Sequence, residues 1–298
     1  MKLTRTFTYC LTLFFISSIV YADNEMNIGH YVKISDDVNM FYQESGEGKT
    51  VLFIPGWTMS SDVFKSQIDY FSKKYRVIVI DPRSQGRSNI TLENNNYVQH
   101  GIDLANFIDK LHLKNITLIG WSWGCYDAYA YIRLKGTDNI KAFACIDVSP
   151  KSSGTKNEWA YVNYDEWGKK FIQPTMYHRY EFAKTWAQAM VERPLQPNEV
   201  DWIVSQSMRT PTYAALELAL DAIYSDYRQE VILLDQHHVP NLNFVSQIAY
   251  PNAKLWLEKN APHSEIKTMG KHMMFWEYPD QFNHLLDEFL NKQTSSSR

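Results

Sequence analysis

Ser122 stands in Gly120-Trp121-Ser122-Trp123-Gly124, the stretch of this chain best suited to chemistry. A serine between glycines at that spacing fits a sharp strand-to-helix turn that pushes its hydroxyl out beyond a sheet edge. Small residues are needed on both sides because so tight a turn leaves no room for side chains beside the backbone. At the foot of the following helix, N–H groups favour negative charge. The chemistry on offer is nucleophilic attack by the Ser122 hydroxyl. A neutral hydroxyl attacks poorly, so it needs an adjacent base. Imidazole titrates near neutrality and can take and return the proton; His237, His238, His263 and His272 all lie downstream. Such an imidazole needs a carboxylate to hold its tautomer.

The elements that must carry these groups follow from the apolar pattern. Ile116 to Ile119 reads as a buried strand ahead of the turn, and Cys125 to Leu134 as the helix behind it. Val51 to Ile54, Arg76 to Ile80 and Ala142 to Ile146 read as further central strands, with Leu104, Ile108 and Leu111 at helical spacing between them. Residues 31–44 alternate like an antiparallel edge hairpin. The expected fold class is α/β: a mostly parallel central sheet with helices on both faces. After Pro150 strands vanish and aromatics crowd in, including Trp159, Trp167, Phe171, Trp186 and Trp202, so residues 151–236 read as a helical cap inserted into a core of residues 23–150 and 237–298. Strand signal returns at Leu242 to Val245 and near Ile266. An amphipathic helix with Phe282, Leu285, Leu286, Phe289 and Leu290 follows, and then a polar tail from Thr294.

These pieces resemble the α/β-hydrolase superfamily over roughly residues 30–292, in its haloperoxidase-like, esterase-like branch with a helical cap. The carriers are Pro55-Gly56-Trp57 after a strand, Asp81-Pro82-Arg83-Ser84-Gln85-Gly86-Arg87-Ser88, the Ser122 turn, Ile146-Asp147-Val148-Ser149-Pro150, and Gly270-Lys271-His272 followed by Phe275-Trp276-Glu277-Tyr278-Pro279.

The resemblance implies that His272 is the base and Ser122 the nucleophile. His237-His238 reads as a surface loop rather than a metal site. The commonest position for the acid, after the Leu242 to Val245 strand, holds Ser246-Gln247-Ile248-Ala249 and no carboxylate. Other members carry the acid one strand earlier, which selects Asp147 and keeps the chain order Ser, Asp, His. The alternative for Asp147 is a cap on the Pro150 turn, with Ser149 as partner. Backbone N–H groups of Trp57 and Trp123 are the expected oxyanion donors. Where family members usually have His before that Gly, this chain has Pro55, which removes a donor but leaves the backbone ones. The side chains of Trp57, Trp121, Trp123, Trp159 and Trp167 are expected around a substrate pocket. Asp81 reads as a structural turn residue, and Glu277 as a cap at a helix start.

Composition bounds the rest. Lys2 and Arg5, the apolar run Leu11 to Val20 and the small-residue site at Ala22 form an export signal, with cleavage expected after Ala22. The run is too short to span a bilayer comfortably, so no stable membrane insertion is expected after processing. The protein is then expected in the periplasm or outside the cell. Losing residues 1–22 takes the net charge from −3 to −5, which gives no support to nucleic-acid or anionic-membrane partners. The expected partner is a small-molecule substrate. Cys125 and Cys145 are expected as buried free thiols, and no Cys/His spacing suggests zinc. The reaction expected is cofactor-independent hydrolysis of a carboxylic ester or lactone with a small hydrophobic or aromatic body. Two alternatives stand beside it. Asp147, Gly56-Trp57 and Phe244-Val245-Ser246-Gln247 also resemble cofactor-free dioxygenases that open N-heteroaromatic rings, although the histidines of their elbow are tryptophans here. The third reading is a non-catalytic protein that uses the pocket as a receptor.

Overall fold

Apolar residues alternate between two sheet faces, and both faces are covered. The computed structural model describes residues 28–155, 158–160 and 164–295; the expected export signal at residues 1–22 lies outside them. Eight strands form one sheet: β1 (Ile28–Lys33), β2 (Asn39–Ser45), β3 (Thr50–Ile54), β4 (Arg76–Ile80), β5 (Ile116–Trp121), β6 (Ile140–Ile146), β7 (Asn241–Val245) and β8 (Glu265–Thr268). Their spatial order is β1-β2-β4-β3-β5-β6-β7-β8. The β1–β2 and β2–β4 pairings are antiparallel and the rest parallel.

Strands buried on both sides read as continuous apolar runs, and the period of two sorts their side chains. Leu52, Ile54, Ile78, Ile80, Leu118 and Cys145 join one core. Val51, Phe53, Val77, Val79, Ile119 and Ile146 join the other. The first core is closed by α2 (Tyr97–Lys110), α3 (Gly124–Lys135) and α10 (Tyr250–Asn260), through residues such as Phe107, Tyr129 and Trp256. The second is closed by α1 (Lys65–Phe71), α11 (Met274–Glu277) and α12 (Pro279–Ser295), through Ile68, Phe275 and Phe282. The α2 helix starts where the Asn96 side chain accepts the Gln99 N–H, and α3 stops at Gly136, whose φ of 74° a side chain would resist. The α12 helix runs to Ser295, past the start of the expected polar tail, and its apolar stripe from Phe282 to Leu290 packs in the second core.

Between β6 and β7 the chain is helical: α4 (Tyr164–Trp167), a π-helical turn at Gly168–Ile172, α5 (Gln173–Tyr177), α6 (Arg179–Ala189), α7 (Pro197–Met208), α8 (Thr212–Tyr224) and α9 (Arg228–Gln236). Lys151 at the start of this insertion forms an antiparallel bridge with Asp226, just before α9. The chain leaves β3 toward β4, then returns to place β5 on the other side of β3. That reversal opens a crevice at the carboxyl ends of β3 and β5, the usual place for a site in such sheets.

Candidate active site

Ser122 follows β5 directly with φ 53°, a left-handed conformation that costs energy for a non-glycine residue. The surroundings hold it there. Its N–H donates to the Ile146 carbonyl at 2.8 Å, and its own carbonyl accepts from Cys125 at 2.9 Å. The flanking glycines are needed for close approach. A Cβ at Gly120 would lie 2.6 Å from the Cys125 backbone, and one at Gly124 would lie 2.4 Å from the Pro55 carbonyl oxygen.

His272 reaches the same point from the loop after β8. Its Nε2 lies 2.9 Å from Ser122 Oγ, and its Nδ1 lies 2.8 Å from Asp147 Oδ2. With Nδ1 donating to the carboxylate, Nε2 is free to accept the serine proton. Trp121 Nε1–H donates to the His272 carbonyl at 2.8 Å, and Met273 N–H donates to Met190 O of the insertion at 2.8 Å, so the loop is anchored on both sides. Asp147 directly follows β6 at φ 49°. Its other oxygen, Oδ1, accepts the Ser246 N–H at 2.7 Å. Burial alone would push this carboxyl up. The hydrogen bond and charge of His272, with the Ser246 N–H, outweigh that and hold it below the ordinary carboxylate value. The alternative role for Asp147 is not what forms: Ser149 Oγ donates to the Lys151 carbonyl instead.

The loop after β3 lies over the serine, with the Gly56 α-carbon facing Ser122 Cβ so closely that any side chain there would press on it. Thr58 N–H is taken by Gln85 and Met59 N–H by the Gly56 carbonyl. Among the described residues the backbone N–H groups of Trp57 and Trp123 have no acceptor within the chain, whereas their indole N–H groups donate to the Ala215 carbonyl and to Ser152 Oγ. The backbone groups are open donors beside Ser122.

A cavity of about 520 Å³ opens above these groups, within the size range of small-molecule sites. Trp57, Trp121, Trp123 and Trp167 line it as expected from sequence, joined by Phe171, Trp186 and Met190 from the insertion. The polar exceptions are Ser152, Ser246 and the rim residues Glu166, Lys170 and Lys271. Trp159 is a correction. Its backbone turns left-handed at φ 51°, and its ring is buried against Trp256 of α10 with centroids 5.8 Å apart, so it packs the core and not the cavity. Phe171, Trp186 and Met190 were missed as site residues because an aromatic-rich helical stretch gives no sign of which face meets the sheet. Ser246 was missed because it contributes a backbone N–H, which any residue type could supply.

The other candidates sit elsewhere. Asp81 is fully buried and accepts the N–H groups of Ser61 (2.5 Å) and Arg87 (2.7 Å), as a turn residue does. Glu277 does not cap its own helix; it accepts the Glu192 and Arg193 N–H groups and ties α11 to the insertion. His237 pairs with Thr137, His263 with Asp235, and the His238 ring stacks edge-on to His263. Cys125 and Cys145 are free and buried.

The model of the alpha/beta hydrolase fold family matches residues 49–292. The AB hydrolase superfamily protein YisY of Bacillus subtilis is 24% identical over 274 residues, covering 89% of this chain and 100% of that protein. The non-heme chloroperoxidase CPO-A1 of Kitasatospora aureofaciens is 28% identical over 278 residues, covering 86% of this chain and 98% of its own. Among solved structures, an esterase (EaEST) from Exiguobacterium antarcticum superposes with a TM-score of 0.80 at 21% identity, covering 89% of this chain and 100% of that one. Sheet order, the turn at Ser122 and a family match over most of the length lead to one conclusion: this chain belongs to the α/β-hydrolase family, is similar to its non-heme haloperoxidases, and is an enzyme of the hydrolase type.

Proposed function

We propose that this hydrolase cleaves carboxylic esters or lactones of small hydrophobic or aromatic compounds through an acyl-enzyme on Ser122. The observation that carries this reading is the unbroken line from Ser122 Oγ to His272 Nε2 (2.9 Å) and from His272 Nδ1 to Asp147 (2.8 Å). Ser122 Oγ attacks the carbonyl carbon while its proton passes to Nε2. The imidazolium so formed is stabilised by Asp147, which stays ionised. The carbonyl oxygen takes the negative charge and accepts from the Trp57 and Trp123 N–H groups. Collapse expels the alcohol, which receives the proton from Nε2. Water, deprotonated by the same imidazole, then frees the acid and restores Ser122.

The aromatic walls supply the substrate preference, since flat apolar surfaces favour flat apolar ligands. The test is labelling of the intact chain with a fluorophosphonate, together with p-nitrophenyl acetate turnover. The expected result is one adduct per chain at Ser122, a burst of nitrophenol, and loss of both in Ser122→Ala apart from a residual rate left by the oxyanion site. A wild-type chain that takes no label and shows no burst overturns the reading. Oxygen uptake with a hydroxyquinolone in the same sample would replace it with ring-opening dioxygenation.

A further inference from the structure

Seven of the eight arginines among the described residues face a carboxylate: Arg76, Arg83, Arg87, Arg133, Arg193, Arg209 and Arg228. The eighth, Arg179, has none and yet is only 7% exposed. It opens α6, where the helix dipole disfavours a cation. Its Nη2 donates to the Ser207 carbonyl at 2.9 Å, and its Nη1 is buried with no partner. The Ser207 carbonyl lies in the last turn of α7, whose negative end answers roughly half an elementary charge. The remainder is unbalanced. Burial pulls the guanidinium down to about 10, which leaves it charged at neutral pH.

The guanidinium carbon lies 5.4 Å from the Trp57 ring centroid, close enough for cation–π attraction. Trp57 is held from the insertion at a second point, where its Nε1–H donates to the Ala215 carbonyl at 2.8 Å. The neighbouring Thr58 hydroxyl meets Ser207 Oγ at 2.9 Å. Arg179 and Ser207 thus form a bracket around the loop that carries Trp57 and packs on Ser122 through Gly56. An ion pair would cancel the field of this cation; without one, it extends through low-dielectric surroundings toward the cavity.

We propose that Arg179 is a positioning residue for the hydrolytic site, which holds the Trp57 loop through the indole ring and adds positive potential where the tetrahedral oxyanion forms. This rests on the ester-hydrolase reading. It adds to that reading a residue of the insertion that acts on the transition state without touching substrate.

The test compares wild type, Arg179→Met and Arg179→Lys with p-nitrophenyl acetate, and with phenylboronic acid, whose serine adduct is a tetrahedral anion. Arg179→Gln repeats the measurement should the methionine variant not fold. The expected result is a kcat lower by about tenfold with KM moved less than about twofold, a boronate Ki weakened by a similar factor, and recovery of most of both in the lysine variant. Unchanged kcat and Ki in folded Arg179→Met overturn the proposal. So does a loss confined to KM that lysine fails to restore, which marks packing alone. A wild-type Tm that rises with sodium chloride, absent in Arg179→Met, means a bound anion neutralises the charge, and also overturns it. A wild type inert to both ester and boronate removes the hydrolytic reading itself; an active wild type with an equally active variant removes only this inference.

Discussion

Asp147 shows how one side chain links several neighbours. It follows β6 in a left-handed conformation, accepts the Ser246 N–H just after β7 and orients His272 from the loop beyond β8. Asp147→Asn keeps the shape but offers a donor where the imidazole N–H must be accepted. Turnover should fall by about 10³- to 10⁴-fold with the fold intact, measured by ester hydrolysis beside circular dichroism. The same group links stability to pH. Its carboxyl sits below the unfolded value, so ionised Asp147 stabilises the native state above the ordinary carboxylate range, and that contribution fades as pH falls through the lowered value. The Tm advantage of wild type over Asp147→Asn should therefore be full at neutral pH and shrink on acidification. Asp147 was legible as a candidate acid only through the family resemblance: the strand after it ends in Ser246-Gln247 with no carboxylate, and the resemblance offers the position one strand earlier. The line of hydrogen bonds joining residues 122, 147 and 272 depends on chain crossings that no local pattern encodes.

The β5-turn-α3 unit depends on close backbone contact. Gly124→Ala would drive a methyl to 2.4 Å from the Pro55 carbonyl oxygen and 2.6 Å from that of Ile54, and neither backbone atom can move without displacing the loop after β3. The expected loss is about 1–3 kcal/mol in urea unfolding, with a larger fall in turnover because the same loop carries the Trp57 N–H. Gly168 is the internal control. It lies in the helical insertion with nothing within 4 Å of an added Cβ, so Gly168→Ala should be neutral or stabilise by about 0.5–1 kcal/mol. The strands and the elbow were readable because their periods and glycines reflect local sterics. Of the four tryptophans placed at the pocket beyond Trp57, Trp121, Trp123 and Trp167 line it and Trp159 does not. All are large apolar rings in sequence; a left-handed backbone at Trp159 sends its ring to α10.

Across the whole chain the insertion is fastened to the sheet around the cavity on several sides. Ser60 meets Gln206 at 2.6 Å, Asn95 meets Glu217 at 2.9 Å, and the Tyr97 N–H donates to Asp221 at 2.7 Å. These bonds tie α7 and α8 of the insertion to the core. The cavity is therefore a property of how the insertion lies over the core, which the length and aromatic content of residues 151–236 did not specify. Among the described residues no helix is long and apolar enough to cross a membrane. We further propose that residues 1–22 direct export and are removed after Ala22, on the strength of the basic start, the short apolar run and the small residue at the site. Expressed in a host with its secretion pathway intact, the protein should yield Asp23 as the first residue on N-terminal sequencing; an intact Met1 in exported material would count against cleavage.

Sequence alone determined the elements and their α/β class and singled out Ser122 as the candidate nucleophile, because strand period, glycine spacing and turn chemistry act over a few residues. The family resemblance carried by its motifs pointed to His272 and Asp147 as the candidate base and acid. Folding decided which aromatic rings face the substrate, which backbone N–H groups stay open, and that Arg179 lies uncompensated beside Trp57. Those properties arise where segments more than a hundred residues apart pack together, and their energies depend on burial and on distances that exist only once the sheet and its insertion have closed.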